Sequence, residues 1–184
     1  MVALGTLWLP ILVSAVIVFF ASSIVWMLMP HHRSDWAQLP GEPGVLDALR
    51  RAGVGRGQYR FPFCDPRDKS PETLKKMADG PMGIMTVWPT GKPNMGKQLG
   101  TWFVYLILVS ACVAYLSGHV LPAGAGYRTV FRLAGGIAIL AYGAALVPNA
   151  IWWGRSWSTT VKEVVDATVY GLLTAGVFGW LWPR

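Results

Sequence analysis

Hydrophobic positions in this chain fall in four long runs, separated by one long polar stretch and two short loops. Residues 3–29 carry no charge, a length that exceeds the roughly 20 residues needed to cross a bilayer. A secretory signal would place a basic residue ahead of a shorter apolar core, and this run has neither feature. Residues 1–29 are read as a first transmembrane helix, with Trp8 and Trp26 as interface anchors and a mild kink at Pro10. Three more transmembrane helices are expected at residues 98–121, 127–153 and 159–182. Pro148-Asn149 should loosen the end of the third.

The fourth run organises the rest. Gly171, Ala175 and Gly179 recur every four residues and share one helical face. Lipid tails give helices no hydrophobic reason to associate, so small residues that permit close approach mark a packing face. Ala134, Ala138, Ala141 and Ala145 form a comparable stripe on the third helix, with Gly135, Gly136 and Gly143 adding close-approach surface. A helix of the same chain is the first expected occupant of such a face, and a partner protein the second.

The polar stretch, residues 30–97, is expected to form a small α/β or α+β extramembrane domain between helices 1 and 2. Residues 42–52 read as an amphipathic helix with Val45, Leu46 and Leu49 on one face and Gly53 as its stop. Residues 58–63 alternate polar and aromatic, as in an edge strand. Ser70-Pro71-Glu72 starts a second helix, with Ser70 as N-cap and Pro71 in the first position, and Gly80-Pro81 ends it. Residues 83–88 read as a second strand, closed by Pro89. A unit of this size buries too little to be robust alone, so it should lean on the membrane or on a partner.

Composition agrees with a mainly α membrane protein. Hydrophobic residues make up 53% and charged residues 14%, against about 25% charged in soluble domains. Of 16 Lys and Arg, 11 lie within residues 30–97, as do seven of nine acids. The net charge of +7 therefore does not point to nucleic acid, because no basic stripe interleaves with aromatics. Near the helix ends, Arg33, Lys92, Lys97, Arg155 and Lys162 lie on the domain side, and Arg128, Arg132 and Arg184 on the other. The positive-inside rule then places the domain in the cytoplasm and both termini in the periplasm of a bacterial inner membrane.

Candidate chemistry is sparse. Nucleotide-binding, nucleophile-elbow and zinc-protease motifs do not occur, and no catalytic residue is assigned. His119 is the only His near a span interior, so an intrinsic haem is not expected. His31 and His32 invite a metal reading, helped by Met27 and Met29. Neighbouring residues point to different sides, however, and no Cys or carboxylate follows at a recognised spacing, so an interfacial polar cluster in which Asp35 pairs with Arg33 or a His is expected instead. Lys162 and Asp166 lie four apart on the fourth helix and read, with Arg132, as interfacial charges that set depth. Glu163 is within reach of Arg155 across the preceding loop. Cys64 and Cys112 do not form a disulfide framework.

His31-His32-Arg33-Ser34-Asp35-Trp36 and the ending Phe178-Gly179-Trp180-Leu181-Trp182-Pro183-Arg184 resemble those of small uncharacterised bacterial multi-pass membrane proteins. The resemblance implies a membrane fold and carries no activity or ligand. Small-residue faces, a slight polar domain and no self-sufficient site lead to a non-catalytic accessory subunit of a larger membrane complex. An energy-transducing host, photosynthetic or respiratory, is the kind expected. Its partners would be lipids and other transmembrane proteins. It would hold no cofactor of its own, with any pigment or lipid contact supplied by the host. The alternative is a small oligomeric transporter or channel whose polar path uses Arg132 and Asp166.

Overall fold

The computed structural model describes residues 1–65 and 67–184. A 3-10 turn at Leu4–Leu7 leads into helix α1, Trp8–Met27. Pro10 thus falls in the first α-helical turn rather than deeper, and there its missing N–H has no helical partner to lose. A second 3-10 turn covers Pro30–Asp35. Helix α2 (Glu42–Arg51), strand β1 (Gly57–Phe61), helix α3 (Pro71–Asp79) and strand β2 (Gly83–Val87) follow. Helix α4 is Met95–Val120, and it starts three residues before the expected span because the Asn94 side chain accepts from the Lys97 N–H at 3.0 Å.

The third apolar run is not one unbroken helix. Helix α5 (Tyr127–Gly143) passes through a 3-10 turn at Ala144–Leu146 into helix α6, Val147–Trp153. Pro148 has no N–H to offer the Ala144 carbonyl, so the α-helical ladder breaks there. Helix α7 is Trp157–Trp180. Leu4–Met27, Met95–Val120 and Tyr127–Trp153 are long and apolar enough to cross a membrane. Helix α7 is dilute in apolar residues at its start, where Lys162, Glu163 and Asp166 lie.

Two compact units result. One comprises Met1–Trp36 with Asn94–Arg184, the other Ala37–Pro93. In the first, α5 and α7 pack most closely, and antiparallel. A Cβ on Gly143 would lie 3.2 Å from the Ala167 Cβ, and one on Gly135 3.0 Å from the Ala175 Cβ. A Cβ on Gly171 would meet the Ile139 backbone N at 2.9 Å. Gly179 faces the Tyr127 ring. The small-residue face of α7 is therefore occupied by α5 of the same chain. On α5 the buried positions are Val130, Ala134, Gly135, Ala138, Tyr142 and Gly143, while Ala141, and Ala145 in the 3-10 turn that follows, are exposed. The predicted alanine stripe is corrected at its second half. The buried face steps from Ala138 to Tyr142, and the 3-10 turn then redirects the chain.

Helix α1 lies against α4, with Val18 of α1 and Val113 of α4 both in the core, and two polar ties join them. Ser14 Oγ and Ser110 Oγ are 3.0 Å apart, and the Trp102 indole N–H donates to Ser22 Oγ at 3.0 Å. Inside a low-dielectric bundle such pairs satisfy polar groups that lipid would leave bare. The Trp182 indole N–H closes the far end by donating to the Pro122 carbonyl at 2.9 Å.

The second unit contains the antiparallel pair β1–β2, in register from Gly57 opposite Val87 to Phe61 opposite Gly83. Ser70 caps α3 by accepting from the Thr73 N–H at 3.3 Å. Among the described residues of this unit, only Thr73 is buried.

Candidate functional site

The site grows from the way α1 ends. Met29 is extended, as a residue before proline prefers, and Pro30–Asp35 then winds as a 3-10 turn. In a 3-10 turn residues three apart eclipse one another. His32 and Asp35 are such a pair, and His32 Nδ1 lies 2.6 Å from Asp35 Oδ2. The His32 ring also stacks on Trp26 of α1, with centroids 3.9 Å apart and planes within 2°.

Helix α7 supplies the other half. Asp166 is 6% exposed, and its carboxylate divides between the two imidazoles. His32 Nε2 is 2.7 Å from Oδ2, and His31 Nε2 is 3.4 Å from Oδ1. The expectation that adjacent histidines diverge fails here. The tight turn tilts the rings by 42° and leaves both Nε2 atoms aimed at one carboxylate. Lys162, one turn earlier, does not pair with Asp166. Its ammonium donates to Asp35 Oδ1 at 2.7 Å, to the His31 carbonyl at 2.7 Å and to Ser34 Oγ at 2.9 Å. Lys162 and Asp166 therefore belong to one network, joined through Asp35 and His32. Next to it, Arg155 donates to Glu163 across the loop before α7.

The electrostatics follow from these contacts. Burial alone would lower the His32 pKa, but hydrogen bonds to Asp35 and Asp166, with their charges, outweigh it and hold the ring above its ordinary value. The Lys162 hydrogen bond, followed by that of His32, holds the Asp35 carboxyl down to about 2. With His32 protonated, two cations balance two carboxylates.

A cavity of about 240 Å³ adjoins the cluster. Trp26 of α1, Trp102 and Tyr105 of α4, Tyr142 of α5, and Glu163, Asp166 and Tyr170 of α7 line it. The Tyr142 hydroxyl is buried with no hydrogen-bond partner among the described residues. The Tyr170 hydroxyl, Glu163 Oε2 and His31 Nδ1 are likewise buried without a partner among the described residues. An apolar pocket with a few converging polar groups is the usual form of a small-ligand site.

The remaining sequence candidates lie elsewhere. Arg132 is exposed on α5, eleven residues before Gly143. Because α5 and α7 are antiparallel with Gly143 against Ala167, about 16 Å of helix separates Arg132 from the level of Asp166. The two do not line one path. Cys64 and Cys112 are each free. Sequence reasoning did not find Tyr142 and Tyr170. Each is a polar-tipped ring inside an apolar helix, and such a tip needs a partner when buried, which was the available signal. No protein family, no curated protein and no solved structure matches this chain.

Proposed function

We propose that this chain is a four-span protein of the bacterial inner membrane that serves as a non-catalytic accessory subunit of a larger, energy-transducing membrane assembly. The observation that carries this reading is the unit Ala37–Pro93. Among its described residues it buries only Thr73, while Leu74 is 55%, Ile84 45% and Trp88 64% exposed. Apolar faces of this kind, on a unit with so little core, are covered in use by another surface. That surface is another transmembrane protein of the assembly. The small-residue face of α7 is not the contact, since α5 covers it.

Helix α7 is the fourth span in this reading. Its uncharged part, residues 167–180, rises about 21 Å, and the charges at its start, Lys162 and Asp166, are paired with the Pro30–Asp35 turn. The unit Ala37–Pro93 then faces the cytoplasm, in line with the positive-inside count. The test is extraction of native membranes in mild detergent, native-gel separation and mass spectrometry of the band containing this chain. Migration with a larger set of membrane proteins is expected. Migration alone, or only with itself, ends this reading.

The burial of Asp166 beside a cavity favours a second reading, a small oligomeric transporter. Proteoliposome flux that Asp166→Asn abolishes while helicity is retained would support it, and absence of flux would remove it.

A further inference from the structure

We propose that His31, His32 and Asp166 form a binding site for one divalent transition ion of the zinc class, with a further coordination position open to the adjoining cavity. This inference is independent of any partner the chain has. Three donors, one from each residue, lie within 4.8 Å of one another, and two of the residues are buried. Two imidazole nitrogens and a carboxylate are a donor set that first-row divalent ions favour, and three protein ligands leave a position for water or another ligand.

One donor pair already has the spacing an ion needs, and all three donors lie within 4.8 Å of one another. Bonds of about 2.0–2.1 Å in a tetrahedral site put neighbouring donor atoms about 3.3 Å apart. His31 Nε2 and Asp166 Oδ1 are already 3.4 Å apart. His32 Nε2 and Asp166 Oδ2, at 2.7 Å, have the separation of a shared proton. Binding replaces that proton with the ion and releases it to solvent.

The surroundings are those a ligating imidazole needs. Asp35 takes the other ring nitrogen of His32 at 2.6 Å, which fixes the tautomer that presents Nε2. Lys162 holds Asp35 in that role and keeps its negative charge neutralised. Trp26 fixes the ring plane by stacking. His31 is 30% exposed at its side chain, which provides a way in from the surface. On the cavity side, the unpartnered Glu163 Oε2 offers an acceptor for an ion-bound water.

The experiment uses the full chain, without a histidine tag, in mild detergent. After stripping with a chelator, cobalt(II) is titrated in and followed by visible absorption, and zinc(II) is then used to displace it. One ion per chain is expected. His31→Ala removes a ligand and leaves His32, Asp35 and Lys162 in contact, so it should weaken binding by more than the roughly 10–100-fold typical of outer-shell changes. Asp35→Asn should weaken it within that range, and His119→Ala, at the one other histidine, should change nothing. Failure to bind one ion per chain, or His31→Ala binding as tightly as the unaltered chain, overturns the site. Should His31→Ala lose helicity, X-ray absorption of the zinc-loaded unaltered chain decides. Two imidazoles with oxygen ligands uphold the proposal, and a single imidazole or sulfur ligation refutes it.

Discussion

Two glycines in opposite surroundings, Gly171 on α7 and Gly136 on α5, allow the α5–α7 contact to be tested in isolation. A Cβ added at Gly171 meets the Ile139 Cγ1, the Ile139 backbone N at 2.9 Å and its Cα at 3.1 Å. Two of these atoms are backbone, which cannot rotate away, so the helices must separate. A Cβ added at Gly136 has nothing within 4 Å. Both substitutions to Ala gain the same intrinsic helix preference, about 1 kcal/mol, so that contribution cancels in the comparison. What remains is the cost of overpacking, typically about 1–3 kcal/mol. Gly171→Ala should therefore be less stable than Gly136→Ala by about 1–3 kcal/mol, roughly a 5- to 150-fold change in the unfolding equilibrium. Reversible unfolding in mixed detergent micelles, followed by tryptophan fluorescence and helical circular dichroism, measures the difference. Equal stability of the two variants would refute the close approach of α7 to α5, and with it the view that the small-residue face is used within the chain.

Two further outcomes are expected. His32→Ala leaves Asp166 buried without its main cationic partner and should destabilise the bundle by about 3–5 kcal/mol in the same unfolding assay, well beyond the effect of His31→Ala. A smaller loss than His31→Ala would contradict the brace between the Pro30–Asp35 turn and α7. In the second unit, the Thr73 hydroxyl and the Ser70 backbone N–H hold the Asp68 carboxyl below its ordinary range. A depressed folded pKa stabilises above the unfolded value and loses that support as pH falls through the folded one. The protection factors of the Ser70 and Thr73 amides, which correct for the intrinsic slowing of exchange in acid, should thus fall on acidification below the ordinary carboxylate range, and Asp68→Asn should remove this dependence.

Much of the framework was legible because it depends on neighbours along the chain. Uncharged runs long enough for a bilayer became helices. Ser70-Pro71 started α3, since a cap and a fixed φ act within one turn. Short alternating segments bounded by Gly and Pro became β1 and β2. Pro148 interrupted the third run for a reason local to its own ring.

The site was legible only in pieces. His31, His32, Lys162 and Asp166 were each visible as polar residues at helix ends, and the Asp35–His pairing and the Arg155–Glu163 reach needed only short separations. Their union did not, because His32 and Asp166 are 134 positions apart. Periodicity names a helical face but not the helix that covers it. Only tertiary packing decided that α5 fills the face of α7, that Ala141 and Ala145 turn outward, and that a 3-10 turn brings two adjacent imidazoles onto one buried carboxylate. Local sequence sets which conformations a segment can hold. Which side chains then meet depends on how whole helices dock, and that is settled by steric fit and charge pairing between residues far apart in the chain.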